Sequence, residues 1–123
     1  MDWKIELIII PVSDVDASIT FYRDRAGFVL DHDHRVSDTV RFVQLTPPGS
    51  ACSIAFGPGI SEMAPGSMRG IQVVVADAAQ ARAELLERGV AASDVDEQAW
   101  GRFVYFADPD GNAWALQELV TYS

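Results

Sequence analysis

Leu7-Ile-Ile-Ile-Pro-Val-Ser-Asp14, followed by a helical segment that ends Arg25-Ala-Gly27-Phe28, is answered later by Ile71-Gln-Val-Val-Val-Ala-Asp77 and then Ala81-Arg-Ala-Glu-Leu-Leu-Glu-Arg-Gly89-Val90. From Asp14 to Gly27 is 13 positions, and from Asp77 to Gly89 is 12. Each copy reads as an apolar strand, an Asp that caps a helix, an amphipathic helix closed by Gly, and further strands. A repeat of this length marks one supersecondary unit used twice.

Working outward, residues 4–12 are apolar and β-branched and predict a buried strand. Residues 16–25 predict the first helix, on which Ala17, Phe21 and Tyr22 fall at helical spacing and serve as core anchors against a sheet. Strands are predicted over 28–35, 39–45 and 51–57, with Thr46-Pro-Pro-Gly49 turning between the last two. Residues 58–70, rich in Pro and Gly, link the copies and read either as a plain linker or as a lid. In the second copy a helix is predicted over 78–88 and strands over 102–107 and 113–120, joined by the tight turn Asp108-Pro-Asp-Gly111-Asn112. The modules are thus 1–57 and 71–123, together one domain.

The 123 residues, 49% of them apolar, can fill one core. A formal charge of -9 with no Lys/Arg cluster argues against a nucleic-acid backbone or an anionic membrane as partner. No apolar run is long enough to span a bilayer, and Met1-Asp-Trp-Lys-Ile-Glu6 lacks the pattern of a secretion signal, so a cytoplasmic protein is expected. The single Cys52, in a strand-like run without a neighbouring His, reads as a small buried hydrophobe.

The ordered set of Val12-Ser-Asp14, Phe21-Tyr22, Gly27-Phe28, Trp100-Gly-Arg102 and Asp108-Pro-Asp-Gly-Asn112, with its internal repeat, resembles the vicinal oxygen chelate superfamily. That group includes glyoxalase I, extradiol dioxygenases, fosfomycin-modifying transferases and bleomycin-binding resistance proteins, and the likeness covers nearly the whole chain. It implies an α+β fold in which two βαβββ modules form a curled eight-stranded cup with helices on the outer side, in many members as a homodimer. Metalloenzymes of the group place four His, Glu or Gln ligands in the cup. Matched by motif offset, those positions are Leu7, Ala55, Ile71 and Ala115 here. Aliphatic side chains offer no lone pair to a first-row ion, so no metal and no other cofactor is expected. A register slip of one would turn Glu6 and Gln72 inward, with Ile54 or Phe56 and Trp114 or Leu116 as partners and Glu118 nearby, which rebuilds no site.

His32 and His34 would share one strand face at a spacing able to chelate. Their place in a middle strand of the first module does not match the superfamily's ligand positions, and a polar, exposed or dimer-edge strand is the simpler reading.

Strand alternation is expected to put Leu7, Ile9, Ser53, Ala55, Ile71, Val73, Ala115 and Gln117 on the cup face, a mostly apolar lining with two polar points. These side chains could also simply fill a closed barrel. Trp100, Arg102 and Tyr105 are expected at the rim, as stacking area and a fixed charge, or else in structural roles; Trp3 and Trp114 are expected to pack. Two functions follow from the resemblance. The first is metal-independent binding of a small apolar or aromatic molecule, as in bleomycin-resistance-type sequestration. The second is a cofactor-free isomerase, cyclase or lyase using Glu6, Glu118 or Tyr105, none of which has an evident partner. Binding ranks above catalysis, and metal-dependent glyoxalase or dioxygenase chemistry is not expected. Ligand identity and the form of a homodimer, module-swapped or apposed, stay open.

Overall fold

Asp14 and Asp77 start the two helices as the repeat requires. Each sits in an extended conformation and accepts a hydrogen bond from the backbone N–H three residues on, Ala17 and Gln80, both at 3.0 Å. The computed structural model describes residues 1–120. Its elements are β1 (Leu7–Ile9), α1 (Val15–Ile19) running on into a π-helical turn (Thr20–Arg25), β2 (Val29–Arg35), β3 (Arg41–Thr46) and β4 (Ser53–Phe56), then β5 (Ile71–Val74), α2 (Ala78–Glu87), β6 (Asp96–Gln98), β7 (Gly101–Ala107) and β8 (Ala113–Leu119).

The strands form two open four-stranded sheets of the same topology, β1-β4-β3-β2 and β5-β8-β7-β6. In each, the first strand of the module pairs in parallel with the last, Leu7 opposite Ser53 and Gln72 opposite Ala115, and the remaining neighbours are antiparallel. The architecture is α+β with two repeated modules.

One face of each sheet packs against the helices, and the two packed faces share one core. Ile10, Val43, Leu45, Ile54 and Phe56 of the first module and Ile71, Val104, Phe106, Trp114 and Leu116 of the second belong to a single buried cluster, with Phe21, Tyr22 and Leu85 from the helices. Tyr22, fully buried, is the junction: its ring contacts Phe21, Phe28, Phe56 and Trp114 at centroid distances of 5.1 to 5.9 Å. Such contacts add to plain burial. Its hydroxyl donates to Asp108 Oδ2 at 2.7 Å and accepts from Trp114 Nε1 at 3.0 Å. Asp108 also accepts from Asn112 Nδ2 (2.7 Å) and from the backbone N–H of Asp110 and Asn112. The turn expected at 108–112 therefore doubles as a buried polar lock between modules, satisfied atom for atom as burial demands.

Several expectations need correction. The first ladder covers only Leu7–Ile9, because β4 offers just four residues for pairing. Trp3, expected to pack, is 85% exposed. Residues 58–70 are pinned to both modules, through Arg41 N to Pro58 O (3.2 Å), Gly66 N to Pro11 O (3.3 Å) and Ala113 N to Met68 O (2.8 Å). A Cβ at Gly66 would stand 2.1 Å from Asp110 O, so this link is fitted to the second module's turn and is not a loose tether. Among the described residues no helix is long and apolar enough to cross a membrane.

Candidate functional site

Register decides what faces the cup. Directly paired residues point to the same side, so Leu7, Ser53, Ile9, Ala55, Gln44 and, across the bulge in β2, His32 share one face of the first sheet. The opposite face carries Ile8, Ile54, Phe56, Val43 and Leu45, which are the core residues. In the second sheet, Gln72, Ala115 and Tyr105 lie in one row and Val74, Gln117 and Phe103 in the next. Ile71, Val73, Trp114, Leu116 and Phe106 point the other way, into the shared core or against it.

The structure brings Leu7, Ile9, Ser53 and Ala55 together as expected, and likewise Tyr105, Ala115 and Gln117. It separates Ile71 and Val73 from them, because β5 is registered one residue away from the expected alternation. Gln72 takes the cup-facing place, donating to Gln117 Oε1 at 2.5 Å, and Gln117 Nε2 donates to the Trp100 carbonyl at 3.3 Å. Trp100 itself lies in the turn before β7, 61% exposed. Arg102, expected at the rim, stands on the helix side of β7. Its Nε sits 3.0 Å from Glu97 Oε1, without hydrogen-bond alignment, and its Nη1 lies 3.8 Å from Glu118 Oε2. Glu118 Oε1 in turn accepts from Ala78 N at 2.8 Å, which holds the start of α2. Both charges therefore have structural work, and Glu118 is withdrawn as a free acid or base.

The cup faces are more polar than the sequence suggested. His32 and His34 line the edge of the first one, their rings stacked at 5.6 Å. Asp31, the bulged residue, accepts from Thr46 Oγ1, which is 2.6 Å from Ser53 Oγ. On the second face, Tyr105 donates to Asp96 Oδ2 at 2.8 Å and stacks on buried Phe103 at 6.2 Å. The hydrogen bond to Asp96 holds the Tyr105 phenol above its ordinary range, so it is a neutral donor near neutrality. Cys52, half-buried at the start of β4, has a thiol pushed up by burial and then by Glu6, and so is a poor nucleophile. β6, and with it Asp96, was missed because Asp96-Glu97-Gln98 carries no apolar alternation.

With the register known, the four positions that would carry metal ligands are Leu7, Ala55, Gln72 and Ala115. Three hydrocarbons and one amide do not fit a first-row divalent ion. Among the described residues His32 and His34 are joined by no third donor in a metal-sized cluster of His, Cys, Asp and Glu.

Two parallel-edged, curled modules with cup faces of this composition define a paired-module α+β fold built around a concave surface. The chain belongs to the Glyoxalase/Bleomycin resistance protein/Dioxygenase superfamily, whose model matches residues 4–116. Among solved structures, TnmS3, an antibiotic binding protein from Streptomyces sp. CB03234, is 34% identical, with 97% of this chain and 98% of that one covered and a TM-score of 0.88. A glyoxalase/bleomycin resistance protein from the same Streptomyces strain is 35% identical over 94% of this chain and all of its own, at a TM-score of 0.82. A superfamily member from Sphaerobacter thermophilus DSM 20745 is 32% identical over 95% and 98%, at 0.84. No protein of curated function matches the sequence.

Proposed function

We propose that this protein binds a small, largely apolar or aromatic organic molecule without a metal, in a cup closed by a second copy of the chain, and so sequesters it. The observation that carries this reading is the make-up of the cup faces. Hydrocarbon stands at Leu7, Ile9, Ala55 and Ala115, aromatic surface at Tyr105 backed by buried Phe103, and amides at Gln44, Gln72 and Gln117. An apolar wall with a few hydrogen-bonding groups orients an organic ligand and offers no electrophile to activate it. The likeness to TnmS3, an antibiotic binding protein, supports an antibiotic-like ligand.

A second copy enters because each cup face is open in the single chain. Val74, Leu119 and Tyr105 on the second face are 65, 57 and 43% exposed, and Trp3 and Ile5, just before β1, are more exposed still. Apolar side chains gathered on one surface mark an interaction face.

The test is to titrate chelator-treated protein with a panel of aromatic antibiotics, following tryptophan fluorescence, and to repeat the titration on Ala115→Trp. Binding is expected to be unchanged by chelation and at least about tenfold weaker when the indole fills the cup, a loss of about 1.4 kcal/mol. Binding that vanishes on chelation and returns with zinc or nickel would contradict the metal-free reading, and a panel without a single binder would contradict the ligand class.

A further inference from the structure

On the helix side of the sheets β5, α2 and the opening of β4 leave a cleft of about 650 Å³ between the modules. Its walls are hydrocarbon and aromatic: Ile8 and Ile54 from the first module, Ile71, Val73 and Trp114 from the second, and Leu85 from α2. Water in it meets few polar partners on these walls. Organic-ligand sites fall in the range of roughly 300–1,000 Å³ and are built in this way, apolar with a few polar groups at the edge.

The edge is charged. Arg88, at the C-terminal end of α2, lies over Gly27, where an added Cβ would stand 2.9 Å from its Nη1. Among the described residues no carboxylate pairs with Arg88, in contrast to Arg23, Arg41, Arg82 and Arg102. Glu84, one turn earlier on the same edge, accepts from Gln80 Nε2 at 3.5 Å. The last carbonyls of α2 are taken by the N–H groups of Arg88, Gly89 and Val90, which blunts the negative end of the helix there. A guanidinium without a carboxylate partner at the mouth of an apolar cleft suits a planar anion.

We propose that this cleft is a second small-molecule site, one per chain, for an aromatic molecule bearing an acidic group, with its hydrocarbon body against Ile54 and Ile71 and its anion on Arg88. Its inner wall is distinct from the cup, because Ile54 and Ile71 point away from the strand faces that carry Ala55 and Gln72, while its rim reaches Ser53, Gln72 and Val74 at the cup's edge.

The experiment is methyl NMR on the full wild-type chain, titrated with 8-anilinonaphthalene-1-sulfonate and, separately, with its uncharged counterpart N-phenyl-1-naphthylamine. Saturable shifts are expected at the Ile8, Ile54 and Ile71 methyls with either probe. Arg88→Gln is expected to weaken the sulfonate by about three- to tenfold while leaving the neutral probe within about twofold, as befits one charge-assisted contact. Shifts confined to the cup methyls of Leu7, Ile9 and Leu119, or the absence of shifts at the three cleft isoleucines, would overturn the site. Equal weakening of both probes by Arg88→Gln would overturn the acidic ligand class. The wild-type titration needs no variant to fold, and shifts at the cup methyls report on the cup independently.

Discussion

Tyr22 shows what a single residue does in this molecule. Helical spacing marked it as a core anchor, and it is one, yet its hydroxyl binds Asp108, 86 positions away, which no local pattern reveals. Burial, then the charge of Asp108, holds the phenol far above its ordinary value. A raised folded-state value favours the protonated form, so this stabilisation is complete below the unfolded value near pH 10 and is lost as pH rises beyond it. Wild-type stability is therefore expected to fall by about 1.4 kcal/mol per pH unit above pH ~10 on account of this one group. Tyr22→Phe should be about 1–3 kcal/mol less stable at neutral pH, since Asp108 and Trp114 each lose a buried partner, but should lack that alkaline slope. Urea unfolding at pH 8, 10 and 11 checks both; equal slopes in the two proteins would show that the fold does not hold the Tyr22 phenol protonated. Residue by residue, the sequence was least informative about β5. Ile71-Gln-Val-Val74 is apolar on both sides of Gln72, so alternation cannot tell which side meets the cup, and only pairing with β8 shows that Gln72 does. Arg102 was open between the rim and a pair with an acid, and its place opposite Glu118 turns it to the helices and the second of these.

At the level of elements, what was legible was what local chemistry specifies. Asp caps and helix-closing Gly residues placed both helices to within a residue or two, and Pro and Gly placed the turns. The π-helical turn at Thr20–Arg25 was not legible, since Ala17, Phe21 and Tyr22 show the spacing of an ordinary helix. β6 was hidden because a three-residue polar edge strand has no hydrophobic period, and its place is given by register with β7. The caps yield a prediction at this scale. Asp77→Ala removes the acceptor for Gln80 N while leaving Glu118 on Ala78 N, and should cost about 1 kcal/mol, read as a lower urea midpoint with an unchanged slope. No loss would mean that Glu118 alone caps α2.

At the scale of the whole molecule, the two modules turn their helix faces to a common core and leave their cup faces outward. The proposed cup takes a second copy, with the exposed apolar side chains Trp3, Ile5, Val74 and Leu119 as its proposed seat. Val74→Asp combined with Leu119→Asp should raise the dimer dissociation constant by at least about tenfold, that is, by about 1.4 kcal/mol or more. With a charge of -9 on each copy, wild-type association should tighten with added salt as mutual repulsion is screened. Sedimentation equilibrium reads both, and a wild-type monomer at about 100 μM, far above the dissociation constants of specific interfaces, would remove the closed cup.

The proposed function is the holding of an organic ligand without a metal. Native mass spectrometry on protein purified without chelators reads subunit count, metal and bound organic mass together. A dimer free of divalent ions is expected, taking up an added aromatic antibiotic as a whole-molecule mass shift. A stoichiometric divalent ion in each subunit, lost when His32 and His34 are replaced by Ala, would contradict it and make metal chemistry the function of the cup.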